Sequence, residues 1–411
     1  MKLIAAAAVA LILAPGATRS QVLDPPLPAS VVATGGQAYG VAIAGNLALV
    51  CQHDAGVMLI DLTIPESPVI LDSLDTPAFA RNAVIVGSLA YVVDRTSGLR
   101  VIDLATPSAL SETGAVDTPG LALSVDVAGS YAYVADKGFG LQVIDIGNPA
   151  APVIVGAVDT PDLASDVVVA GSLAYVADFA SGVRIIDISN PALPAEVGSF
   201  NTAGEANGLA VANGLCVVAD SGGGLVVLDV RVPTAPSLLA TVPTVGLATE
   251  VTLVGDVALV AVGMQGLLAV SLADPAAPVI LTEYATGGSS IQLSVMGRHV
   301  AITCGGSGLE VVEVFAPAAP VPEPGDVVRL DVAPNPFNPR TTLLFTLPQS
   351  GPARLSVHDL AGRRLALLHD GHLEAGSHAM PFSAGDLASG VYLARLEYDG
   401  VITARRVTLV R

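Results

Sequence analysis

Bursts of four to six apolar residues, broken by Gly, Pro and Asp, follow one another along most of the chain. They are rich in Val, Ile, Leu and Ala and lack the 3.6-residue period of an amphipathic helix, so they predict short β-strands. One signature recurs: Gly, four mostly apolar residues, an acid, and often a Pro four positions on. It reads Gly56-Val-Met-Leu-Ile-Asp61, Gly98-Leu-Arg-Val-Ile-Asp103, Gly140-Leu-Gln-Val-Ile-Asp145, Gly182-Val-Arg-Ile-Ile-Asp187 and Gly224-Leu-Val-Val-Leu-Asp229. Two weaker copies follow, Gly266-Leu-Leu-Ala-Val-Ser271 and Gly308-Leu-Glu-Val-Val-Glu313. The seven starts fall 42 residues apart without insertion or deletion.

A period of about 40–50 residues holding four strands per unit predicts the blades of a β-propeller. In the fourth copy the strands are expected at Asp166 to Ala170, Leu173 to Ala177, Val183 to Ile188 and Ala195 to Phe200, with Gly171-Ser172 and Asn190-Pro191 turning the chain. The seventh copy runs into the Pro-rich stretch Ala316 to Pro324, which cannot supply a central strand. Pro26 to Thr34 matches the missing strand in register, so an N-terminal strand is expected to complete the last blade and leave no exposed edge. The fold class is therefore all-β, a seven-bladed propeller over residues 21–316 with a smaller β-sandwich after it.

Composition adjusts this picture. Hydrophobic residues make up 52% of the 411 and charged ones 13%, with a mean hydropathy of +0.65. The longest apolar run, Leu3 to Ala14, is shorter than the roughly 20 residues of a membrane span. With Lys2 before it and small residues around Ala17 to Ser20, it reads as an export signal over residues 1–20, which leaves no transmembrane helix in the mature chain. Residues 20–325 carry 29 acidic and 7 basic side chains. Such a surface repels nucleic acid and anionic membranes. The three cysteines make no disulfide framework: Cys216 stands where other copies have Ala, and Cys51 and Cys304 are expected to leave opposite sheet faces.

Three polar columns recur. The third-strand acids Asp61, Asp103, Asp145, Asp187 and Asp229, and the second-strand acids Asp94, Asp136, Asp178 and Asp220, sit before turns and read as turn-making residues. The first-strand entry is Gly40, Asn82, Ser124, Asp166, Gly208, Glu250 and Gln292, followed in each copy by an apolar residue. Its chemistry changes from copy to copy, as in a binding surface, although a water-filled polar channel explains it too. Candidate ligand-binding residues at this channel mouth are thus Asn82, Ser124, Asp126, Asp166, Glu250 and Gln292, with Arg81, His53 and Arg95 on the same side. The repeat region holds only His53 and His299, so a histidine metal cluster is not expected there, and carboxylates leave Ca²⁺ as the conceivable ion. There is no Trp, and aromatics total 4%, which disfavours stacking platforms. No nucleophile-elbow, phosphate-loop or zinc-protease motif is present.

The third-strand motifs Leu99-Arg-Val-Ile-Asp103 and Val183-Arg-Ile-Ile-Asp187 resemble those of the bacterial LVIVD-repeat family, which implies an extracellular propeller. After a stiff Pro-rich linker over 317–328, residues 329–411 give six short strand-like runs between Gly and Pro turns. This part resembles type IX secretion sorting domains and the related flagellar-hook-cap-type immunoglobulin-like domain. The matching residues are Asn335, Pro336, Phe337, Asn338, Pro339, Asp359, Gly362, Arg363, Gly376, Gly390 and Tyr392, with a basic finish through Arg405, Arg406 and Arg411. His358 stands where that family usually has Tyr. The resemblance implies recognition by secretion machinery at the outer membrane; a permanent structural module is the other option. Taken together, the sequence reads as a secreted or cell-surface, non-catalytic propeller without a cofactor, binding an extracellular ligand or protein. The alternative is an extracellular hydrolase or lactonase-like enzyme with carboxylates and a calcium ion at the channel mouth.

Overall fold

The computed structural model describes residues 22–315, 330–333, 335–347, 350–359, 363–374, 376–385, 387–398 and 401–410. The export signal and the linker expected from the sequence lie outside these. The chain divides into two units, Met1–Pro317 and Ala318–Arg411. Among the described residues there is no helix long and apolar enough to cross a membrane.

In the first unit the apolar bursts form antiparallel hairpins. The fourth copy has strands Asp166–Ala170, Leu173–Ala177, Val183–Asp187 and Ala195–Phe200, one residue shorter in the third than expected. Seven such four-stranded sheets are present. Six use consecutive strands. The seventh joins Leu293–Met296, His299–Thr303 and Leu309–Phe315 to the N-terminal strand Val22–Val32, with Ser30 opposite Val311 and Val32 opposite Leu309. First strands lie beside one another in chain order, and the strand Gly40–Ala44 also lies against Leu293–Met296.

The signature glycine has a mechanical reason. Gly56 and its counterparts have φ between 62° and 89°. A Cβ at Gly56 would stand 2.2 Å from the Leu74 carbonyl oxygen, so only glycine fits. Between sheets, isolated bridges recur at one repeat position: His53↔Ala80, Arg95↔Ala122, Lys137↔Ala164, Phe179↔Ala206, Ser221↔Ala248, Gly263↔Ser290 and Ala38↔Gly305. The alanines in this column are fully buried. Apolar clusters likewise straddle neighbouring sheets, as where Tyr133, Leu141 and Val143 of one pack with Val167, Val176 and Ile186 of the next. Burying a Val, Leu or Ile side chain contributes roughly 1.5–3 kcal/mol, so the core holds sheet to sheet.

The two acid columns differ. The third-strand acids behave as expected: Asp61, Asp103, Asp145, Asp187 and Asp229 each accept the backbone N–H two residues on. The second-strand acids are not local turn-makers. Asp94, Asp136, Asp178 and Asp220 are fully buried. Each accepts a threonine hydroxyl from 18 residues earlier and a backbone N–H from 16 residues earlier. They clamp the connection arriving from the preceding sheet. In the seventh copy Cys304 replaces the acid, and Glu310 takes over, accepting from the Tyr284 hydroxyl at 2.5 Å and Gly287 N–H at 3.0 Å. Cys51, Cys216 and Cys304 are buried free thiols.

The second unit has a three-stranded sheet (Leu330–Ala333, Arg340–Leu347, Gly376–Ser383) and a four-stranded one (Arg364–Leu373, Gly351–His358, Gly390–Tyr398, Val401–Leu409). Leu343, Phe345 and Leu347 from the first share one core with Leu355, Val357, Ala394 and Leu396 from the second.

Candidate functional site

One cavity of about 290 Å³ is lined by residues from all seven copies of the repeat. They fall in two adjacent columns. The outer one is Tyr39, Arg81, Leu123, Ser165, Asn207, Thr249 and Ile291; the inner one supplies Asn82, Ser124, Asp166, Glu250 and Gln292. Strand geometry explains the pairing, because the outer residue precedes the first strand and the inner one opens it, or in the seventh copy stands just before it. The inner positions at Gly40 and Gly208 have no side chain, and their neighbours use the space. A Cβ at Gly208 would stand 3.0 Å from Glu250 Oε2, and one at Gly40 would stand 3.0 Å from Gln292 Oε1.

The polar groups divide by what they already hold. Asp166 accepts the Ser124 hydroxyl at 2.6 Å and the Leu209 N–H at 2.9 Å. Gln292 Oε1 accepts the Val41 N–H at 2.8 Å. Ser165 and Thr249 donate to backbone carbonyls. Glu250 accepts only its neighbour's N–H, from Val251 at 3.2 Å. Arg81 has no ion pair or side-chain hydrogen bond; its guanidinium lies 4.7 Å over the Tyr39 ring. Burial raises the Asp166 carboxyl, opposed by its hydrogen bonds. Burial, and then the charge of Asp166, push Glu250 well above the usual carboxylate range. Burial lowers the Arg81 guanidinium. An unpaired cation and a loosely held carboxyl therefore share one small polar cavity.

Five of the six candidates line this cavity: Asn82, Ser124, Asp166, Glu250 and Gln292. Asp126 does not. It stands two residues into its strand, lines a second cavity of about 350 Å³, and accepts the N–H groups of Val127 and Val169 at 2.7 Å each. His53 and Arg95 are also outside the cavity. They join a stack that low aromatic content gave no reason to expect: Tyr39 on His53 (5.1 Å between centroids), His53 on Phe79 (4.0 Å), and Arg95 over Phe79 (5.5 Å). Sequence reasoning missed most of the outer column, whose signal was present as Tyr39, Leu123, Asn207 and Ile291 at the 42-residue period. Among the described residues, no group of three or more His, Cys, Asp or Glu side chains is placed to hold a metal ion.

In the second unit the matched motif residues have structural partners. Asn335 Nδ2 donates to the Arg406 carbonyl, and Asn335 Oδ1 accepts from Thr408 N–H. Phe337 is buried and bridges Leu409. The Arg363 guanidinium pairs with Asp359 at 3.1 Å, and the Tyr392 hydroxyl donates to the Ala388 carbonyl. Gly376 has φ 119°, which favours glycine there. Gly362 lies outside the described residues.

The LVIVD repeat model matches residues 35–76, 79–118, 119–160, 163–202, 203–244 and 245–286. Among solved structures, the WD40 beta propeller domain of Doa1 is similar at 10% identity and a TM-score of 0.60, over 72% of this chain and 98% of that one. The computationally designed Ika8 protein is similar at 10% identity and a TM-score of 0.53, over 92% of this chain and 99% of that one. No curated protein matches. These likenesses give the fold of the repeat region as a β-propeller.

Proposed function

The chain belongs to the LVIVD repeat family, and on that footing we propose that it is a secreted or cell-surface propeller that binds a small polar ligand without turning it over. The ring has seven blades, closed where the N-terminal strand completes the last sheet. Support for closure comes from the bridge Ala38↔Gly305, which is the same bridge that links every other neighbouring pair. Residues 1–20 direct export. Residues 329–411 form an immunoglobulin-like sandwich that the secretion machinery recognises, with motif residues such as Asn335 and Phe337 keeping its last strand in place.

One observation carries the binding reading. The lining of the 290 Å³ cavity comes from two repeat positions whose chemistry differs from copy to copy, while the next position is apolar in all seven (Val41, Ala83, Val125, Val167, Leu209, Val251 and Leu293). A repeated scaffold has been made asymmetric at one place, as a selective site requires. The test is a thermal-shift screen of small polar compounds on the full chain and on Asn82→Leu. Compounds that raise the melting temperature of the parent but not of the variant are expected. A screen in which every stabilising compound acts equally on both would overturn the assignment. Fractionating the native host, with and without residues 329–411, tests the sorting role; unchanged localisation removes it.

A further inference from the structure

We propose that the cavity takes a zwitterion of amino-acid size, its carboxylate on Arg81 and its ammonium on Glu250. This rests on the binding reading above and specifies its ligand.

The Arg81 guanidinium carbon lies 4.7 Å over the Tyr39 ring. Its N–H groups have no protein acceptor, and a guanidinium so left can take a carboxylate through two parallel bonds. The only protein donor to Glu250 is the Val251 N–H, and Gly208 clears the space its Oε2 occupies. Asp166, the other carboxylate in the cavity, has both oxygens engaged. Arg81 and Glu250 make no ion pair with each other, and they come from the second and sixth copies, whose first strands are not neighbours. A cationic and an acidic side chain thus line one shared space without a direct ion pair between them. Burial lowers Arg81 and raises Glu250, and the charge of each offsets only part of the other's shift.

A ligand with one charge relieves one of these groups and leaves the other desolvated and unpaired. A ligand with both charges at its two ends relieves both. The space of about 290 Å³ equals about ten water volumes at roughly 30 Å³ each, which suits a free amino acid rather than a folded partner. The side-chain amides of Asn82 and Asn207 have no protein partner and offer further donors and acceptors.

The experiment is calorimetric titration of the full chain with each of the proteinogenic L-amino acids. For one that binds, the matched amine lacking the carboxylate and the matched acid lacking the amine follow. The amino acid is expected to bind at least about tenfold tighter than either analogue. Arg81→Gln should erase the preference over the amine, and Glu250→Gln the preference over the acid. Each replaces one of the two ionisable groups by a neutral amide, and circular dichroism confirms that the variants fold. A single-charge analogue binding as tightly as the amino acid overturns the proposal. If polar fragments bind in the cavity but no amino acid does, the zwitterion assignment falls and the binding reading stands. If nothing binds there at millimolar concentration, both fall.

Discussion

Asp136→Ala is the sharpest probe of how the sheets are held together. The carboxylate is fully buried and accepts the Thr118 hydroxyl at 2.7 Å and the Gly120 N–H at 2.8 Å. Alanine leaves both donors without this acceptor at a tight junction between sheets. Each buried donor left unpaired costs about 1–3 kcal/mol. Against that stands the desolvation of the carboxylate, strong enough to hold it above its usual range, and this penalty is relieved. The net loss expected is about 2–3 kcal/mol. At about 2 °C per kcal/mol for a domain of this size, the melting point should fall by about 5 °C. Urea titration of the full chain followed by circular dichroism measures it directly. Asp145→Ala is the comparison, since that half-buried acid holds one local N–H at 2.8 Å; it should cost less than about 1 kcal/mol. Thr118→Val removes the hydroxyl alone. Combined with Asp136→Ala it should cost less than the sum of the two, by about 1 kcal/mol. Asp136→Ala within about 0.5 kcal/mol of the parent, or no worse than Asp145→Ala, refutes the clamp.

Two other outcomes follow from the same geometry. Asp126, Asp136, Asp166, Asp178, Asp220 and Glu250 all sit above their ordinary values because of burial. The folded state therefore binds their protons more tightly than the unfolded one. Their stabilisation is complete below the unfolded value near about 4 and is lost as pH rises through the raised values. The melting temperature should accordingly rise between neutral pH and about pH 5. His299, lowered by burial, opposes this as a single group, and the half-buried Asp61, Asp187 and Asp229, lowered by their hydrogen bonds, act only below about pH 4. A scan in which acid lowers the melting temperature across that range contradicts the assignment. A chain beginning at residue 35 lacks the strand paired to Leu309–Phe315 and presents that strand as an open edge. Size exclusion with light scattering should find it self-associated where a chain beginning at residue 21 is monomeric; an equally monomeric and stable product would show that the strand is dispensable.

Much of this fold was legible because its determinants are local and periodic. The Gly at positive φ and the third-strand acid bonding two residues on are single-copy devices, and the fixed period of 42 places them. Other features depend on residues far apart. The second-strand acids look like turn-makers in a linear reading, yet their donors arrive from 16 and 18 residues upstream, across the connection between sheets. Glu310 standing in for an absent acid is visible only once Tyr284 and Gly287 are beside it. In the second unit six strand-like runs are expected and seven strands form, including the short Leu330–Ala333 and the long Arg364–Leu373. Both carry too few alternating apolar residues to stand out alone.

The candidate site was legible as a column but not as a set of free groups, and the difference is instructive. Asp166, Asp126 and Gln292 look chemically available in the sequence, but each spends an oxygen on the N–H of the neighbouring first strand. For Asp166 with Leu209, and Asp126 with Val169, the partner lies 43 residues on. For Gln292 with Val41 the separation is 251 residues, which is seven periods of 42 less the same 43. One bond type thus recurs across the two ends of the chain, which supports the closure proposed above. Carboxylates and amides that perform it are part of the wall. Glu250 and Asn82 perform no such bond, and Arg81 performs none either. The wall-forming members fix the cavity's outline through backbone contacts that a ligand does not need to disturb. Free groups in two of the copies can then change without loosening these contacts. A repeat built this way separates the residues that join neighbouring first strands from those that face a ligand, although Asp166, Gln292, Glu250, Asn82 and Arg81 share the same two columns.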